Sequence, residues 1–79
     1  METWKEENNR IVKHFVFADF ETAMQFMQMA AKLISALDHH PTWTNTYNTI
    51  RVELTTHEAG NTVTEKDWQL AKMLDEIKL

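Results

Sequence analysis

The sequence predicts a small α+β domain, an antiparallel sheet with two helices packed on one face. Three observations carry this expectation. Residues 11–18 and 47–56 alternate apolar and polar side chains with the period of a strand. Residues 19–37 switch to apolar spacings of three and four, and residues 64–77 repeat that helical spacing. Beyond the first helix, the connections are too short for parallel crossovers, so the strands should pair antiparallel.

Each element has a local reason. Glu7-Asn8-Asn9-Arg10 is polar and rich in asparagine, which tolerates the positive φ of tight hairpin turns. A short strand around Trp4 should therefore turn there into the strand over 11–18. In that strand Phe15 and Phe17 face one way, and Val12, His14 and Val16 face the other. Asp19 is placed to cap the first helix. Its apolar stripe is Phe20, Ala23, Met24, Met27, Ala30, Ala31, Ile34 and Leu37. The helix must stop before Pro41, because a residue ahead of proline is pushed out of the helical region. Over 47–56, Ile50, Val52 and Leu54 point one way and Thr49, Arg51, Glu53 and Thr55 the other. A loop follows from His57 to Thr62, holding the single glycine, Gly60. Thr64 and Asp67 have capping-box spacing at the start of the second helix, whose stripe is Leu70, Ala71, Leu74 and Ile77.

At 79 residues the chain is read as one domain, 1–79, with no repeat and no low-complexity segment. So short a chain buries a limited core, which favours sharing stability with a second subunit. A net charge of −4, from 8 Lys and Arg against 12 Asp and Glu, argues against nucleic-acid binding. With no cysteine there is no disulfide, thiolate metal site or thiol nucleophile. No apolar run reaches membrane-spanning length, and Met1-Glu2-Thr3-Trp4-Lys5-Glu6-Glu7 has no signal-peptide pattern. The expectation is a cytoplasmic protein.

The chemistry concentrates in histidine. Of four histidines, His39, His40 and His57 fall within a nineteen-residue window, bracketing the strand over 47–56. Imidazole is the side chain suited to moving protons near neutral pH. His14, alone in mid-strand, reads as structural. His39 and His40 also fit a simpler role at a helix C-terminus, where an imidazolium complements the dipole. Three histidines could bind zinc, but adjacent residues rarely reach one ion, so no metal site is assigned. Asp67 is explained by capping alone, and Trp43 serves equally as core or as a wall for a planar ligand. Residue types and spacing thus lead to histidine acid–base chemistry on an unspecified substrate.

Three motifs, taken together, resemble the pterin-4a-carbinolamine dehydratase family. They are Phe15-x-Phe17-x-Asp19-Phe20-x-x-Ala23-x-x-Phe26, His39-His40-Pro41-x-Trp43-x-Asn45-x-Tyr47-Asn48, and Leu54-x-Thr56-His57-Glu58-Ala59-Gly60 followed by Val63-Thr64-x-x-Asp67. They span nearly the whole chain in the family's order. The resemblance implies an antiparallel sheet with helices on one face, assembled as a homodimer or homotetramer. It implies dehydration of 4a-hydroxytetrahydrobiopterin to quinonoid dihydropterin in tetrahydrobiopterin recycling, with no metal or other cofactor. It implies catalysis by His39, His40 and His57, with His39 and His57 the proton-transfer pair and His40 helping to bind the pterin. Pro41, Trp43 and Asp67 would contact or shape the substrate pocket.

The chain departs from the family pattern in three places. An additional N-terminal helix, common in the family before the tryptophan that Trp4 resembles, is absent or cut away here. Ser35 stands where many members carry a glutamate able to orient an imidazole, a role left to Asp38 or Glu58. The loop from His57 to Asp67 is one residue longer, with Asn61-Thr62 where a second glycine is usual. The first two departures and the methionines Met24, Met27 and Met29 motivate an alternative, a non-enzymatic interaction protein of the same fold.

Overall fold

The computed structural model describes residues 3–79; Met1 and Glu2, which open the charged N-terminal run, lie outside the described residues. Four strands, β1 (Lys5–Glu7), β2 (Arg10–Val16), β3 (Thr42–Thr46) and β4 (Thr49–Leu54), form one antiparallel sheet in the order β1-β2-β4-β3. Helices α1 (Phe20–Leu37) and α2 (Glu65–Asp75) cover one face, which makes the fold α+β. Because β4 pairs antiparallel with both β2 and β3, those two strands run parallel with β4 between them, and α1 is their crossover.

The hairpin of β1 and β2 closes where the asparagines predict. Glu7 faces Arg10, and the two residues between them, Asn8 and Asn9, have φ of 50° and 62°. Both central residues being left-handed matches the right-handed twist of the flanking strands.

The strand expected over 47–56 forms over Thr49–Leu54, and a further strand, Thr42–Thr46, precedes it. Residues 42–54 form a hairpin of two strands, with Thr46 facing Thr49 across the turn at Tyr47 and Asn48. Asparagine side chains absorb the polar backbone here. Asn45 Nδ2 donates to the carbonyls of Tyr47 (3.1 Å) and Thr49 (3.3 Å), and Asn48 Nδ2 donates to that of Phe17 (2.8 Å). Tyr47 adopts φ of 50°. The hairpin returns the chain, so His57 comes back to the cavity that His40 lines.

Ile11, Ile50, Val52 and Leu54 from the inner face of the sheet meet Ala23, Phe26, Ala30 and Ile34 of α1 and Leu70, Ala71 and Leu74 of α2. Burial of each large apolar side chain contributes about 1.5–3 kcal/mol. The α1 stripe is rotated from the expected one: Phe26 is buried, whereas Phe20 is 40% exposed and Ala31 is exposed. Phe15 and Phe17 both stack on Phe26, at centroid separations of 4.7 and 5.1 Å, and these aromatic contacts set the rotation. The outer face carries Thr42, Thr44, His14 and Val16, all exposed, around a buried Val12. Ile77, expected in the second helix, lies just past its end and packs on the core. Among the described residues no helix is long and apolar enough to cross a membrane.

Two outcomes are expected. Asn9→Gly, which relieves the Cβ crowding of a left-handed residue, should raise the urea midpoint of unfolding by up to about 1 kcal/mol equivalent. On the outer face the Arg10 hydrogen bond to Glu53, helped by the charge of Arg51, holds the Glu53 carboxyl below its ordinary range despite partial burial. A depressed folded-state value means a contribution present above about pH 4 and lost as pH falls further. Arg10→Gln should therefore flatten the acid limb of stability measured between pH 5 and 2, by up to about 1 kcal/mol for such a surface pair.

Candidate active site

The histidine pair sits where α1 is forced to end. Asp38 adopts the left-handed conformation, φ 53° and ψ 44°, and its N–H turns back to the carbonyls of Ile34 and Ser35. The His39 N–H also returns to the Ile34 carbonyl, at 3.3 Å. This is a Schellman-type C-terminus, and Pro41 prevents the helix from resuming. It sends adjacent side chains in opposite directions. His39 is buried at 6% exposure, whereas the His40 side chain is 65% exposed beside Asp38, with Nε2 3.4 Å from Oδ1.

His39 reaches the start of α2. Its Nε2 lies 2.6 Å from Oδ1 of Asp67, which is fully buried. The other carboxylate oxygen, Oδ2, accepts from the Thr64 N–H at 2.9 Å and from Thr56 Oγ1 at 2.8 Å. Thr56 has a single hydroxyl proton and spends it on Asp67. The 2.6 Å contact between the Thr56 and Thr64 hydroxyls must then be donated by Thr64. Every neighbour of Asp67 is a donor, as an acceptor-only carboxylate requires. By the same inventory, His39 holds its proton on Nε2, and Nδ1 is its free nitrogen. Burying a carboxylate and an imidazole is costly unless both are satisfied. Here, among the described residues, no buried side-chain nitrogen or oxygen lacks a partner.

His57 opens a single 3-10 turn (His57–Ala59), with two residues between it and the end of β4. Gly60, at φ 84°, and Asn61, at φ 60°, bend the chain back. Thr56 N–H donates to Thr62 O at 2.9 Å and Asn61 N–H to Thr56 O at 3.1 Å, which closes the loop at its base. The His57 ring places Nδ1 3.1 Å from Asn61 Oδ1.

His39, His40 and His57, with Asp38, Thr55 and Glu58, line one cavity of about 260 Å³. That volume is slightly below the usual range for small-molecule sites, about 300–1,000 Å³. Pro41 and Trp43 do not line it. They border an adjoining depression of about 220 Å³ with Ser35, and His40 lies between the two. Asp67 also differs from expectation: with no exposed surface and both oxygens occupied, it meets a ligand only through His39. The missing glutamate at Ser35 leaves neither imidazole of the pair without a carboxylate, because Asp67 serves His39 and Asp38 lies beside His40. Across the longer loop, Asp67 both caps α2 and bonds His39. Sequence reading assigned the capping box correctly but missed that one carboxylate performs both tasks. The signal was Thr56, a hydroxyl just past the strand that donates to Asp67.

Replacing Asp67 tests this arrangement. In Asp67→Asn the amide presents donors where three donors already point, so at least one buried group loses its partner. Stability in urea should fall by about 1–3 kcal/mol. Where the amide nitrogen faces His39, the ring proton moves to Nδ1, which ¹⁵N chemical shifts of the imidazole would register.

Comparison with known proteins bears on the whole chain. A family model described as pterin 4 alpha carbinolamine dehydratase matches residues 1–77. A Metallosphaera sedula protein named "Putative pterin-4-alpha-carbinolamine dehydratase" is 42% identical over 78 residues, 99% of this chain and 80% of that one. A protein of the same name from Chloroflexus aurantiacus is 47% identical over 74 residues, covering 94% and 78%. A crystal structure described as a transcriptional coactivator/pterin dehydratase from Brucella melitensis superposes with a TM-score of 0.86 at 42% identity, over 91% of this chain and 78% of that one. A pterin dehydratase-like RuBisCO assembly factor of the α-carboxysome shares the fold, with a TM-score of 0.75 at 16% identity over 92% and 83%. Matched along nearly its full length by the family model and by these relatives, the chain belongs to the pterin 4 alpha carbinolamine dehydratase family.

Proposed function

We propose that the protein dehydrates 4a-hydroxytetrahydrobiopterin to quinonoid dihydropterin and water, in tetrahydrobiopterin recycling, by histidine acid–base catalysis. One observation carries the reading: three histidines from two chain segments converge on one cavity, and two of them have a single free nitrogen each. Loss of water requires a proton delivered to the departing 4a-hydroxyl and a proton removed from N5. The C4a–O bond breaks, and the electron pair left on N5 forms the C4a–N5 double bond. One ring enters protonated at its free nitrogen and the other unprotonated, so the proton count is unchanged across the reaction. No oxidant, reductant or metal is required by this balance.

His39 and His57 are the proton-transfer pair. His39 exchanges through Nδ1, because Nε2 faces Asp67. His57 exchanges through Nε2, because Nδ1 faces Asn61. Asp67 positions His39 and supports positive charge forming on its ring, as a buried carboxylate does behind a catalytic imidazole. His40, exposed at the junction of the two depressions, is suited to contact the pterin and share developing charge. Pro41 and Trp43 add an apolar wall on its far side. The exposed side chains Phe20, Met29 and Trp68 favour burial against further copies, a homodimer or homotetramer, which light scattering on the eluted protein would measure.

The direct test is decay of 4a-hydroxytetrahydropterin with purified protein. Acceleration is expected, and His57→Ala and His39→Ala should each lower the rate at least tenfold, against the roughly 10²–10⁴-fold that a positioned acid or base can supply. Well-folded protein that fails to accelerate the decay would rule the reading out and favour the interaction role.

A further inference from the structure

We infer that Asn61 is a positioning residue that sets the tautomer of His57 and so confines its proton exchange to Nε2. The kinetic consequence rests on the dehydratase reading above; the tautomer itself does not. Nδ1 of His57 lies 3.1 Å from Oδ1 of Asn61, and an amide oxygen has no proton to give. Nδ1 must therefore carry the hydrogen, and Nε2 is left with the lone pair. An unconstrained neutral imidazole prefers the reverse, with its hydrogen on Nε2, so the contact works against the intrinsic preference.

The backbone explains why the amide is there. Gly60 and Asn61 are consecutive left-handed residues, at φ of 84° and 60°, and asparagine is among the few side chains that tolerate that region. Three hydrogen bonds hold the bend: Gly60 N–H to His57 O at 3.0 Å, Asn61 N–H to Thr56 O at 3.1 Å, and Thr56 N–H to Thr62 O at 2.9 Å. With both flanks fixed, only two side-chain torsions of Asn61 remain to be ordered. Little entropy then opposes the contact, although both residues are exposed.

The chemistry separates Asn61 from the partners of the other two histidines. His39 faces Asp67 and His40 faces Asp38, both carboxylates. His57 faces a neutral amide, which fixes where the ring proton sits without adding a charge to the loop. Glu58, next in sequence, already lines the same cavity. The free nitrogen of His57 then lies across the ring from the loop that holds it.

The test uses the full chain and two variants. Asn61→Gly keeps the positive φ without strain and removes the amide. Asn61→Asp keeps an acceptor on Nδ1. With the neutral ring, two-dimensional ¹H–¹⁵N spectra of the histidine side chains should show the Nδ1–H form of His57 in the parent and in Asn61→Asp. In Asn61→Gly the Nε2–H form should predominate, with an unchanged melting temperature. In the dehydratase assay Asn61→Gly should lose about three- to tenfold in kcat, the effect of one neutral hydrogen bond, with KM within twofold. Asn61→Asp should recover most of it. An Nε2–H His57 in the parent, which would mean the amide nitrogen faces the ring, overturns the inference. So does an Asn61→Gly protein with an unchanged tautomer or unchanged kcat. If the parent proves inactive, the dehydratase reading fails on its own and the spectra still decide the tautomer.

Discussion

The buried contact between His39 and Asp67 is the interaction on which the rest of the molecule depends. It joins the end of α1 to the beginning of α2, and the second carboxylate oxygen extends the join to Thr56 at the end of β4. Three elements that also meet through apolar packing are thereby fixed in direction as well as in distance. Hydrophobic burial is non-directional and leaves a helix free to rotate by small amounts. A carboxylate with three donors at 2.6–2.9 Å does not. The same group that stops α2 from fraying decides which nitrogen of His39 is free.

Much of this was legible in the residues. Periodicity located both helices, and Asn8-Asn9 placed the first hairpin. The inward set Ile50, Val52 and Leu54 and the Thr64–Asp67 capping box are present as read. These features are local, set by side chains within a few residues of one another. The turn at Tyr47 and Asn48 was not legible, because a β-rich run of threonines continues through it and tyrosine rarely adopts positive φ. What marks the turn is the polarity of Asn45 and Asn48, which is intelligible only once their carbonyl partners are known.

The site divides along the same line. The three histidines could be gathered by residue type and by the family pattern, since titratable groups of one kind in a short span are conspicuous. Their partners could not. Asp67 lies 28 positions from His39, and its role in capping gave a sufficient local reason for its identity. A residue that serves two purposes hides the second behind the first. Trp43 and Pro41 were grouped with the histidines by the family resemblance, yet they border a neighbouring depression that shares only His40 with the histidine cavity.

The closed loop after β4 has a consequence for how this fold accommodates change. Its base is held by a backbone bridge between Thr56 and Thr62 and by the paired hydroxyls of Thr56 and Thr64, 2.6 Å apart. The register of α2 is therefore set by anchors on either side of the loop, not by the number of residues within it. Extending a loop whose ends are already fixed costs little conformational entropy, about 0.6 kcal/mol for each doubling of its length. Residues 57–61 form a compartment in which insertions and substitutions can accumulate while Asp67 keeps its place. Variation confined there can retune one histidine without disturbing the other.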